Sequence, residues 1–153
     1  MSFFELIKQG KVQEIANLIS NDPSLIHQTD ERGFPPLVMA TYSNQKQVAE
    51  LLIKNGAEID QKDKAGNTAL MGVSFKGNLE IAELLIQNNA AVNTQNNDGA
   101  TALIYAAGFG HTDLVKLLLD AGADKSLKDN SGKNAATHAD FQGRYDVLNL
   151  LND

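Results

Sequence analysis

Three histidines are the first residues to weigh for chemistry: His27, His111 and His138. A zinc site built on a helix needs two ligands one turn apart, with a third arriving from elsewhere. No two of these histidines share that spacing, and no third ligand accompanies them. Acid–base work needs two carboxylates in unlike surroundings. Glu50, Glu80, Glu83 and Asp113 fall instead on helical positions expected to face water. The chain has no cysteine, which removes thiolate nucleophiles, thiolate metal sites and disulfides. Gly108-Phe109-Gly110 looks like a fragment of a phosphate-cradling loop, but turns and helix caps account for the glycines. These residues predict no catalytic site, no metal and no cofactor.

Composition narrows the class further. The chain has 153 residues, 42% apolar and 21% charged, which suits one globular domain over residues 1–153 and argues against disorder. No apolar run approaches the roughly 18 residues that a membrane span needs. Glu5 and Lys8 interrupt the apolar start and no basic region precedes it, so an unexported, cytoplasmic protein is expected. The net charge of −6 is spread along the chain without a basic stripe, which makes nucleic acid and anionic membrane poor partners.

The elements come from a repeat. Gly33, Gly66, Gly99 and Gly132 stand 33 residues apart, each closing a four-residue run that opens with Asp or Asn (Asp30, Asp63, Asn96, Asp129). That is type I turn chemistry: the side-chain oxygen bonds to backbone ahead and glycine tolerates the exit conformation. Thr68, Thr101 and Asn134 then suit helix N-caps, and Pro36 suits a first helical turn. A small residue follows in each first helix, at Ala40, Val73, Ala106 and Ala139, and a break falls near Asn44, Gly77, Gly110 and Gly143. The second helix carries a broad apolar block such as Ile81-Ala82 with Leu84-Leu85-Ile86, the face of a helix held between neighbours. Leu84 and Leu117 are expected at inter-repeat contacts. Gly56, Asn89 and Gly122 suit left-handed positions at the ends of these helices.

The run from Thr101-Ala102-Leu103 through Ala106-Ala107, Gly110-His111 and Leu117-Leu118-Leu119 to Ala121-Gly122 resembles the ankyrin repeat, whose period it shares. The resemblance implies an all-α solenoid of stacked helix–turn–helix units joined by hairpin-like β-turn loops, with about five repeats. Residues 33–65, 66–98 and 99–131 are expected as full repeats, 2–32 as a divergent first cap and 132–153 as a shortened last one. Gly10 is one residue out of phase, while Ser2 with Glu5 makes a capping box. The family's usual histidine is replaced by Val38, Met71, Ile104 and Thr137, which puts its side-chain hydrogen-bond network in doubt.

The resemblance also implies binding of another protein on a concave face built from turn tips and first helices. Aligning the repeats on their glycines places Tyr42, Phe75, Gly108 and Phe141 in one column of that face. Phe109 lies in the next column, Phe34 just after its turn glycine, and Lys64 and Lys76 beside the row. Phe34, Tyr42, Lys64, Phe75, Lys76, Phe109 and Phe141 are therefore the expected partner-binding residues. Two arrangements of the rings stay open: exposed toward a partner, or tucked between first helices as peripheral core. A monomeric adaptor or inhibitor is the expected function; a small-molecule sensor cradling its ligand on the aromatic row is the alternative.

Overall fold

The computed structural model describes residues 1–152. Ten α-helices among them form five antiparallel pairs: α1 (Phe3–Gln9) with α2 (Val12–Asn21), α3 (Pro36–Tyr42) with α4 (Lys46–Lys54), α5 (Ala69–Lys76) with α6 (Leu79–Gln87), α7 (Ala102–Gly108) with α8 (Thr112–Asp120), and α9 (Ala135–Phe141) with α10 (Tyr145–Leu151). A short 3-10 helix, Pro23–His27, follows α2. No strand occurs among the described residues.

The helices α1, α5, α6, α7 and α9 start where a side chain satisfies a loose backbone N–H group. Thr68, Thr101 and Asn134 accept from the N–H three residues on, at Met71, Ile104 and Thr137. Pro36 opens α3, where a missing N–H leaves nothing unpaired. The Ser2–Glu5 capping box closes in both directions. The breaks at Asn44, Gly77, Gly110 and Gly143 and the helix ends at Gly56, Asn89 and Gly122 all have positive φ.

Between helix pairs the chain makes a tight turn. Asp63 Oδ1 accepts from the N–H groups of Ala65 and Asn67, and Gly66 N–H closes on the Asp63 carbonyl at 3.0 Å. Asp30, Asn96 and Asp129 organise their turns in the same way. Gly66 must be glycine twice over. Its φ is +81°, and a Cβ would lie 2.7 Å from Asn97 Oδ1 and 3.0 Å from the Asn97 nitrogen of the next turn.

The core runs between the helix pairs along the stack. Ala40, Val73, Ala106 and Ala139 are wholly buried and let the first helices approach closely. The first helices pack on one another more intimately than the second helices do, so the stack curves with α1, α3, α5, α7 and α9 on its inner side. Leu52, Leu85 and Leu118 of the second helices have no solvent exposure. Leu84 and Leu117, by contrast, are only partly covered, and the enclosed position of each block is the residue after them. The stack buries 32 hydrophobic residues to below a tenth of their surface, and these form one continuous cluster rather than one core per repeat.

Side chains also stitch neighbours together at one repeating position. Gln45 reaches the carbonyl of Lys8, Asn78 the amide oxygen of Asn44, His111 the carbonyl of Phe75 and Arg144 the carbonyl of Gly108. Each ties the start of a second helix to the preceding pair. The first rung spans one residue more than the last two, as the phase of Gly10 requires. The apolar substitutions at Val38, Met71 and Ile104 are buried, so those positions contribute packing instead of hydrogen bonds.

Candidate binding surface

The inner side presents a row of rings. Tyr42, Phe75, Phe109 and Phe141 are 45, 40, 47 and 78% exposed, against the near-complete burial of the core around them. Two of them touch: Phe75 and Phe109 meet edge to face with centroids 4.7 Å apart, and Phe75 also meets Tyr105 at 6.1 Å. The two arrangements left open by the sequence thus coexist, because rings a repeat apart can pair by their edges while leaving faces in water. Gly108, in the same column, carries no ring, and a Cβ there would meet His138 Cβ at 3.6 Å.

Cations flank the rings. Lys76 Nζ lies 4.7 Å from the Tyr42 centroid, the Arg32 guanidinium 4.9 Å from that of Phe34, and Lys133 Nζ 5.2 Å from that of Phe141. Lys64 is exposed on its turn, its aliphatic stem crossing Gly33. Phe34 departs from the exposure expected of it. Its backbone is pinned to Asp30 from both sides, N–H to Oδ1 at 2.9 Å and carbonyl to N–H at 3.1 Å, and its ring packs partly buried against the core.

The structure adds residues that sequence alignment on the glycines did not single out. A groove of about 470 Å³ opens on the inner side between α3 and α7, lined by Phe34, Met39, Tyr42, Met71, Phe75 and Tyr105 among others, with Asp63 at its wall. Gly72 forms part of that lining because it has no side chain. Tyr145, 69% exposed at the start of α10, is a further ring outside the row. Tyr105 was legible in the sequence only as part of a helix motif, and its hydroxyl turns out to accept from the amide of Asn96 at 2.8 Å.

The residues with chemical potential serve the scaffold. His111 stands at the N-cap position of α8, where its ring bonds the Phe75 carbonyl at 3.0 Å instead of capping the helix. His138 Nε2 lies 2.7 Å from Asp129 Oδ2. Burial works to raise the Asp129 pKa, but hydrogen bonds from the His138 ring and from the Lys133 and Ser131 N–H groups outweigh it and hold the carboxyl below its ordinary value. On the outer side Lys46 pairs with Glu80 at 2.7 Å, and that hydrogen bond raises the lysine pKa. Asn97 and Asn130 are committed within the stack, each donating its amide to a carbonyl of the preceding turn, Lys64 and Asn97 respectively. No three of His, Cys, Asp and Glu converge as a metal site, and no helix is long and apolar enough to cross a membrane, among the described residues.

Stacked helix pairs, glycine-closed turns and an inner row of side chains define a helical repeat protein. A family model described as ankyrin repeats (3 copies) matches residues 3–96 and again residues 70–153. The chain belongs to the ankyrin-repeat family. No curated protein matches it in sequence.

Proposed function

We propose that this chain is a single-domain, non-catalytic adaptor or inhibitor that holds a partner protein across its inner row of rings. Ankyrin repeats are generally protein–protein interaction modules and typically non-catalytic. The observation that carries the reading is the Phe75–Phe109 pair. Two large apolar rings stand near half exposed in the middle of the row, where water solvates them at a cost and a partner would bury them. Aromatic side chains at the centre of a contact commonly dominate its energy. Five first helices spaced about 8–10 Å apart give a face long enough for a standard contact of roughly 800 Å² per partner. Lys64 and Lys76 would add a salt-dependent attraction toward acidic groups on that partner. Within this reading the protein is a cytoplasmic monomer, and a stable dimer in sedimentation at micromolar concentration would overturn that part.

The test is comparative capture. Proteins retained by the immobilised chain and lost with the Phe75→Ala/Phe109→Ala variant are partners of this face; proteins retained equally by both are not. A second reading, a small-molecule sensor, draws support from the groove, whose volume of about 470 Å³ falls in the range of ligand pockets. A thermal shift on adding a metabolite, absent from the Phe75→Ala/Phe109→Ala variant, would favour it.

A further inference from the structure

One residue breaks the pattern of the first helices. Nine positions after the opening residue of each turn stand Met39, Gly72, Tyr105 and His138. The last two reach back to their turns: Tyr105 takes the Asn96 amide and His138 bonds Asp129 Oδ2. Gly72 has nothing to reach with. Its turn residue, Asp63, commits Oδ1 to the N–H groups of Ala65 and Asn67, and no hydrogen bond or ion pair among the described residues engages Oδ2. Nor does the fold demand glycine there. Its φ is not positive, and the nearest atom to an added Cβ is Tyr42 Cδ2, at 3.4 Å. Glycine inside a helix weakens it relative to alanine. What the glycine provides is the groove, with rings on its walls and Asp63 in its lining.

We propose that this groove receives the indole or phenol ring of a tryptophan or tyrosine carried on an acidic segment of the partner protein, an inference that rests on the protein-binding reading above. The other occupants fail on chemistry. An aliphatic side chain would cover Asp63 Oδ2 and leave it with neither water nor a donor. A lysine or arginine would satisfy Asp63 but meet Arg32 and Lys76, which already stand over the rings of Phe34 and Tyr42. A ring bearing an N–H or O–H packs edge to face among Phe34, Tyr42, Phe75 and Tyr105 and donates to Asp63. Around the mouth stand three cations, Arg32 in the lining, Lys76 over Tyr42 and Lys64 between the lining residues Asp63 and Ala65, against the one lining carboxylate, Asp63. Carboxylates flanking the inserted ring would pair with them.

The protein contains no tryptophan, so a peptide's own tryptophan reports its burial without interference. The probe is acetyl-Asp-Glu-Trp-Glu-Asp-amide, titrated with the whole chain. A saturable blue shift of its emission is expected. Gly72→Tyr, which fills the gap as Tyr105 does one repeat on, should weaken binding by at least about tenfold, with helicity and melting checked in parallel. Replacing the peptide's tryptophan with 1-methyltryptophan removes the donor and should also weaken binding about tenfold. That second loss should vanish in Asp63→Asn, which keeps the turn as Asn96 does, so the donor test stands even if Gly72→Tyr does not fold. Equal binding to folded Gly72→Tyr would overturn the groove while leaving the concave-face reading intact. Tighter binding of a lysine-flanked peptide would overturn the charge argument. Binding of N-acetyltryptophanamide as tight as that of the peptide would make the occupant a small molecule, and no blue shift with any probe would overturn the inference outright. Comparative capture with Phe109→Ala alone, a ring of the row outside the groove lining, decides the wider reading independently.

Discussion

Adjacent leucines in α8 offer a sharp test of how the stack is held. Leu117 and Leu118 belong to one apolar block, yet Leu118 has no exposed surface and Leu117 keeps some. The helix that carries them packs against α6, α7 and α10, so neighbours on three sides limit collapse around a vacancy. Leu118→Ala should therefore cost the transfer of the lost atoms plus a residual cavity, about 3–5 kcal/mol. Leu117→Ala, whose site can rehydrate, should cost about 1–2 kcal/mol. For a chain of this size each kcal/mol shifts the melting temperature by about 2–4 °C, so Leu118→Ala should melt at least about 6 °C lower. Urea unfolding followed by helical circular dichroism measures both, with the slope checked for lost cooperativity. Such loss would itself be informative, because a repeat weakened in the middle can uncouple the repeats on either side. Equal costs at the two leucines would refute the placement of the core between helix pairs.

Two further outcomes follow from the turns and caps. Gly99→Ala should destabilise more than Gly122→Ala: both have positive φ, but only at Gly99 would a Cβ collide with the next turn, 2.9 Å from the Asn130 nitrogen. Left-handed strain of about 1–2 kcal/mol is common to both, and thermal melts should show the excess at Gly99. Asp129, held below its ordinary pKa, favours folding in its charged form. Its contribution is present above about pH 4 and is lost as pH falls through the folded-state value. Melts of the protein and of Asp129→Asn should converge in that acid range, and a constant difference down to pH ~2–3 would contradict the assignment.

Much of the fold could be read in the chain because its determinants are local. A positive φ at a turn, an N-cap hydroxyl and a left-handed helix end each depend on one or two residues, and Gly33, Thr101 and Gly122 sit where the backbone needs them. The choice between Leu117 and Leu118 was not legible, since both fall on the same broad helical face and only the angle to three neighbours separates them. The binding surface shows the same division. A column of rings is visible in the period, but the packing of the Phe34 ring against the core is not, since the same backbone pin recurs at Asn67, Ala100 and Lys133 with quite different side chains. The groove depends on an absence, Gly72, that acquires meaning only beside Tyr105 and Asp63 in neighbouring repeats. The substituted histidine positions looked like a loss of hydrogen bonding, whereas Gln45, Asn78, His111 and Arg144 supply inter-repeat bonds from another column.

If the inner rings serve binding more than folding, the Phe75→Ala/Phe109→Ala variant will separate the two when stability and affinity are measured on the same sample. The rings are 40 and 47% exposed and their mutual contact is one edge-to-face pair, so the covered ring area and the lost pair together should lower stability by about 2–5 kcal/mol and the melting temperature by about 4–20 °C, leaving the variant folded at room temperature. Its affinity for a partner captured by the unmodified chain should fall by about 2–4 kcal/mol, some thirtyfold to a thousandfold. A variant that unfolds would assign the rings to the core, and one that stays folded and binds its partner undiminished would place the interface elsewhere.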